Sequence, residues 1–174
     1  MRFSSSGRFL FPQNLLYHNL FRMAKTMKQL TVGSPAFENK KAIPKKYTCD
    51  AEDINPPLTI NGTPAETKSL VLIVEDPDAP MGLWIHWVVW NIPPTTAMIN
   101  ENSVPGTEGV NTNGNRSYDG PCPPSGTHRY FFKVYALDAK LELPQNSAKK
   151  DVEKAMESHV IAKGELMGVY SRSR

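Results

Sequence analysis

The chain has 174 residues, 40% hydrophobic and 21% charged, which is ordinary for one soluble globular domain with its own core. No apolar run reaches the roughly eighteen residues of a membrane-spanning helix. The net charge of +3 is lopsided: residues 1–37 carry five basic residues (Arg2, Arg8, Arg22, Lys25, Lys28) and no acid, so the remainder, with fifteen basic and seventeen acidic residues, lacks a nucleic-acid footprint.

Residues 1–26 are broken every few positions by Arg, Asn, Gln or His and offer no signal-peptide apolar core. They contain Arg and Ser and no acid, as transit peptides do, but the simpler reading is a disordered tail or a start placed ahead of Met23 or Met27. One domain is expected over 27–174, in the cytoplasm. Two cysteines, Cys49 and Cys122, without CxxC spacing or a secretory leader, are read as thiols rather than a disulfide.

Turn chemistry runs through 31–60, with Gly33-Ser34-Pro35, Ile43-Pro44 and Asn55-Pro56-Pro57 around short strand starts such as Leu58-Thr59-Ile60. Ser69–Val74 is a β-branched apolar run of strand length, buried on both faces, that Pro77 and Pro80 must end. Residues 84–91 form the next strand. Period two puts Trp84, His86, Val88 and Trp90 on one face and Ile85, Trp87 and Val89 on the other. A long polar loop fills 100–126. The strand 127–137 then groups His128, Tyr130, Phe132 and Val134 on one face. Ser147 is placed to cap a helix with Val152, Ala155, Met156, His159 and Val160 as its apolar stripe and Gly164 as its stop. A last strand, "ELMGVYS", follows. The fold class is mainly antiparallel β with one or two peripheral helices.

Four fragments point to one site: Asp76-Pro77-Asp78-Ala79-Pro80, His86, Gly120-Pro121-Cys122-Pro123-Pro124, and Gly126-Thr127-His128-Arg129-Tyr130. With these the sequence resembles the phosphatidylethanolamine-binding protein family, also called Raf kinase inhibitor-like proteins, and is most similar to its bacterial branch with "GPCPPxGxHRY". The likeness extends from about residue 28 to 172, through "SPAFENKKAIPKKYTCDAEDINPPL" and "GELMGVYSR". The resemblance implies two antiparallel β-sheets and a small pocket for phosphate-like groups. It places Asp76, Asp78, His86, Gly120, His128 and Tyr130 at the pocket and Pro80, Trp84, Pro121 and Cys122 on its wall. Cys122 stands where the animal members have a second loop glycine, so a narrower or differently shaped mouth is expected.

The residues themselves agree with that chemistry. Two imidazoles, a phenol and loop N–H groups are the donors a phosphate wants. His128 and Tyr130 on one strand face lie roughly 7 Å apart, within reach of one phosphate. A neighbouring carboxylate favours imidazolium. The expected function is non-catalytic binding of a phosphate-bearing small molecule or phosphorylated group. The resemblance adds a kinase-like protein partner; a homodimer is compatible, and no cofactor or metal is called for. The competing reading is a hydrolase, through Cys122, His128 and Asp76 or a metal held by Asp and both histidines, although no short-spaced ligand pair supports the metal and no base adjoins the thiol.

Deleting residues 1–26 should leave the melting temperature within about two degrees; a fall of roughly 5 °C, near 1 kcal/mol for such a domain, would show that the segment packs.

Overall fold

The computed structural model describes residues 27–172, together with Met1; the reading of 1–26 as a tail lies outside the described residues. The strands are β1 (Lys28–Gln29), β2 (Thr31–Gly33), β3 (Leu58–Asn61), β4 (Ser69–Asp76), β5 (Trp84–Ile92), β6 (Met98–Ile99), β7 (Thr107–Glu108), β8 (Thr127–Leu137) and β9 (Val160–Ser171). A 3-10 turn covers Lys45–Tyr47, and one α-helix, α1, covers Lys149–Met156. Six strands pair in the order β1-β9-β8-β4-β5-β7, and β2-β3-β6 make a second sheet. All pairings are antiparallel except the short β1–β9 edge. Among the described residues no helix is long and apolar enough to cross a membrane.

β4 organises the molecule. Its eight residues are all buried, as expected of an apolar strand covered on both sides. Leu70, Leu72 and Val74 face the second sheet and pack with Leu58, Ile60, Trp87, Phe132 and Val134. Val71 and Ile73 face the other way, where Val152 and Met156 of α1 close a smaller core with Val88 and Trp90.

β5 departs from simple alternation. Opposite β4, Val74 pairs with Trp87 but Glu75 pairs with Ile85, so His86 is an extra residue, a β-bulge. The bulge puts His86 on the inter-sheet side together with Trp87 and Val89, while Val88 and Trp90 pack against α1. The face expected for His86 from period two is therefore corrected. A second irregularity near Asn91, which adopts φ 55°, resets the register again before Ile92.

Three other expectations change. The helix begins at Lys149, not after a Ser147 cap, and the Asp151 carboxylate accepts the Ala148 N–H at its start. It also stops at Met156, well short of Gly164. Residues from Val160 onward pair along β8 instead, and Gly164 sits opposite Val134 where a Cβ would run into the Leu30 carbonyl. Helical periodicity was real but local, and the long β8–β9 ladder outweighs it. Within the expected loop 100–126, Thr107–Glu108 forms β7 on the β5 edge.

The cysteines form a disulfide, Cys49–Cys122, across 73 positions, which corrects the expectation of thiols. Their Cα atoms are 5.4 Å apart because the segment after the 3-10 turn lies against the loop before β8, a proximity no local spacing reveals. Closing so long a loop restricts the unfolded chain. The double Cys→Ser variant should lose about 2–4 kcal/mol of unfolding free energy, read as a lower urea midpoint, and equal midpoints would refute this role.

Candidate functional site

β4 leaves the core through two acids that face opposite ways. Glu75, toward α1, takes Lys133 Nζ at 2.5 Å and Lys149 Nζ at 2.9 Å. Burial raises its carboxyl pKa, but the two ammonium groups outweigh that and hold it below the usual range. Asp76 faces the inter-sheet side and is only 3% exposed. One carboxylate oxygen accepts the Asp78 N–H at 2.7 Å, folding the Pro-rich turn back on the strand end. The other accepts the Nδ1–H of His128 at 2.7 Å. The pair leaves the ring's Nε2 for whatever enters the cavity that His128 lines.

Tyr130 stands two residues along β8 on the same face. Its ring meets His86 edge-on, with centroids 5.2 Å apart. The His86 ring is clamped by the 110–120 loop: its Nδ1–H donates to the Asp119 carbonyl at 2.6 Å, and the Asp119 N–H donates back to the His86 carbonyl at 3.0 Å. Burial lowers the His86 pKa below its ordinary value, against the weaker pull of the Asp119 carbonyl and nearby acids. The ring is therefore neutral near pH 7, and its Nε2 is a lone pair. Burial, helped by Asp76 and Asp78 and opposed by the Cys122 amide, raises the Tyr130 phenol far above the ordinary tyrosine range, so it is a donor. Neither His86 Nε2 nor Tyr130 Oη has a hydrogen-bond partner of acceptable geometry, although both are buried.

Asp76, His86, His128 and Tyr130 line one cavity of about 370 Å³ with Pro80, Trp84, Gly120 and Cys122. Asp78 and Pro121 are not among the lining residues. The Asp78 carboxylate instead takes Arg129 Nε at 2.8 Å and Nη2 at 2.6 Å, and Arg129 holds its pKa down to about 2. The Gly120 N–H, expected as a loop donor, is used by Asp53 at 2.7 Å. Glycine is required there by packing, since a Cβ would collide with the Asp53 carboxylate and the Tyr47 carbonyl.

Sequence reasoning missed Ala79, Met81, Asn113, Asp119, Pro123 and Pro124 on the lining. Ala79, Pro123 and Pro124 lay inside the quoted motifs. Asn113 and Asp119 carried no signal, because they reach the site only as the loop wraps the β5 edge. Asn113 Nδ2 holds an Asp119 carboxylate oxygen at 2.7 Å. No Lys or Arg lines the cavity, and His86 is held neutral, so neither adds positive charge there. Cys122 Sγ is bonded to Cys49, and among the described residues no three His, Cys, Asp or Glu side chains are arranged to hold a metal.

A family model described as phosphatidylethanolamine-binding protein matches residues 33–171. A UPF0098 protein of Methanothermobacter thermautotrophicus is 50% identical over 79% of this chain and 95% of its own. One from Aquifex aeolicus is 45% identical over 82% of this chain and 89% of its own. Archaea are thus represented as well as bacteria, and the expected restriction to a bacterial branch is too narrow. Among solved structures, a phosphatidylethanolamine-binding protein homologue from Chlamydia trachomatis superposes with TM-score 0.82 at 43% identity, covering 84% of this chain and 99% of that one. Escherichia coli YbcL, described as a member of the mammalian family, gives TM-score 0.77 at 31% identity, covering 83% and 99%.

The Asp78–Arg129 pair yields a test with a definite sign. The folded pKa of Asp78 is depressed, so its contribution is present above about 3.8 and lost as pH falls through about 2. Because Arg129 is half exposed, Asp78→Asn should cost no more than about 1 kcal/mol at pH 7. The gap between variant and wild type in urea titrations should close toward pH 2; a gap that widens on acidification would contradict the pairing.

Proposed function

Because the chain belongs to the phosphatidylethanolamine-binding protein family, we propose that it is a non-catalytic pocket protein that binds a phosphomonoester in its singly protonated form. The observation that carries this reading is the pair of buried, unpartnered atoms at the cavity, His86 Nε2 and Tyr130 Oη. Each uncompensated polar group costs about 1–3 kcal/mol, so a ligand that completes both is favoured over one that completes neither.

The two atoms ask for opposite things. His86, neutral and already donating through Nδ1, needs a ligand donor. Tyr130 needs a ligand acceptor. A monoester monoanion offers a P–OH to the first and bare oxygens to the second. A dianion or a diester has no P–OH to give. The carboxylates of Asp76 and Asp119, with no Lys or Arg on the lining, also disfavour a second negative charge. Pro80, Met81, Trp84 and Pro124 supply apolar surface for the organic part. Support for a non-catalytic role comes from the disulfide, which removes the one thiol at the cavity as a nucleophile. The kinase-directed role implied by the resemblance would require a protein partner, and no feature of the pocket selects one.

Titration calorimetry with phenyl phosphate and its methyl ester tests this. The monoester should bind more tightly at pH 6 than at pH 8, on the order of tenfold, because its second ionisation lies near pH 6. The diester should lack that gain. The diester keeps one negative charge at both pH values and has no titrating proton, so the difference between the two esters isolates the ligand's proton. Tyr130→Phe should weaken the monoester roughly ten- to a hundredfold, as loss of a hydrogen bond to a charged group does. Equal pH dependence of the two esters, or an unaffected Phe variant, would overturn the proposal.

A further inference from the structure

The disulfide lies in the wall of the cavity. Cys122 is exposed and lines it, between Pro121 and Pro123. The two ends of the bond are held differently. Around Cys49 the chain is fixed by the buried Tyr47, by the Thr48 N–H on the Lys45 carbonyl at 3.1 Å, and by Asp50, whose carboxylate takes Tyr170 Oη at 2.8 Å. Before Cys122, Gly120 is pinned by Asp53, and after it Thr127 enters β8. Between those anchors the Pro121 carbonyl accepts the Cys49 N–H at 3.3 Å, and the disulfide is the covalent tie on Cys122 and on the Pro123-Pro124 wall that lines the cavity with Pro80, Met81 and Trp84.

We propose that Cys49–Cys122 is a reducible latch on the cavity wall: a small dithiol opens it at Cys122, the more exposed of the two residues, and the opened wall binds ligand less well. A thiolate of the dithiol attacks Cys122 Sγ, the bond to Cys49 breaks, and Cys49 leaves as a thiolate that takes a proton from water. The second thiolate of the reagent then attacks its own sulfur in the mixed disulfide, releasing Cys122 as a thiolate that is protonated in turn. Two electrons and two protons pass to the protein, and the dithiol becomes a cyclic disulfide. The two sheets do not depend on the bond for their pairing, so the reduced protein keeps its fold at lower stability and loses the fixed position of the wall. A reducing cytosol would hold the latch open and an oxidising compartment would hold it shut.

The consequence for affinity rests on the proposed phosphomonoester site, whereas the consequence for the wall does not. The full chain is treated with dithiothreitol under native conditions, trapped with iodoacetamide and weighed, with circular dichroism as the check on folding. Both cysteines should alkylate without denaturant. Amide exchange should rise more at Cys122, Ser125 and Gly126 than in β4 and β8, where only the lower global stability acts. Phenyl phosphate should bind the reduced form less tightly, on the order of tenfold, since the wall is no longer preorganised. The double variant Cys49→Ser/Cys122→Ser should match the reduced protein in both readouts and ignore dithiothreitol. Alkylation only after unfolding, exchange at Cys122, Ser125 and Gly126 that rises no more than in the core strands, or equal affinity of the two redox forms overturns the latch. If the oxidised protein binds no phenyl phosphate, the proposed function falls and amide exchange alone decides the latch.

Discussion

A carboxylate at the end of a fully buried strand cannot be left alone, and the site is organised around that requirement. Asp76 is carried into the interior by β4, whose other residues are needed on both faces to join two cores. Its charge is compensated by the Asp78 N–H and the His128 ring, one on each oxygen. The first bond turns the chain into the Ala79-Pro80-Met81 wall. The second sets the imidazole and leaves one nitrogen for a ligand. Satisfying one buried charge therefore shapes two sides of the cavity.

The bulge at His86 completes the arrangement from the neighbouring strand. Without an extra residue, β5 would send that imidazole toward α1, away from Tyr130. With it, His86 and Trp87 share the inter-sheet side, and the tryptophan's indole N–H finds Glu108 at 2.7 Å. The bulge leaves His86 outside the regular β4 ladder, so the 110–120 loop supplies the pairing, through the reciprocal bonds with Asp119. Neutral imidazole, raised phenol and apolar walls then meet at one cavity.

The family likeness and the geometry answer different questions. The relatives establish the fold and its extent over 33–171. They say nothing of protonation, which follows from burial and hydrogen bonding in this chain. The disulfide is likewise a feature of this tertiary structure, and it joins the wall of the cavity to the segment after the 3-10 turn.

Apolar runs and their flanking prolines determined much by themselves. The strands around Leu72, Val88 and Phe132 were legible because burial on a sheet demands β-branched and aromatic residues in short blocks, and Pro77 and Pro80 cannot continue a ladder. The grouping of His128 with Tyr130 followed from period two, and the DPDAP and GTHRY motifs marked the neighbourhood of the cavity. Only the tertiary structure decided the rest, because each remaining feature depends on what lies opposite. The face of His86 is set by register against β4, and the end of α1 by competition with the β8–β9 ladder. The Arg129 partner of Asp78 and the bond between Cys49 and Cys122 join groups 51 and 73 positions apart. The charge state of His86 is a consequence of desolvation, which a sequence does not contain until the chain has closed around the ring.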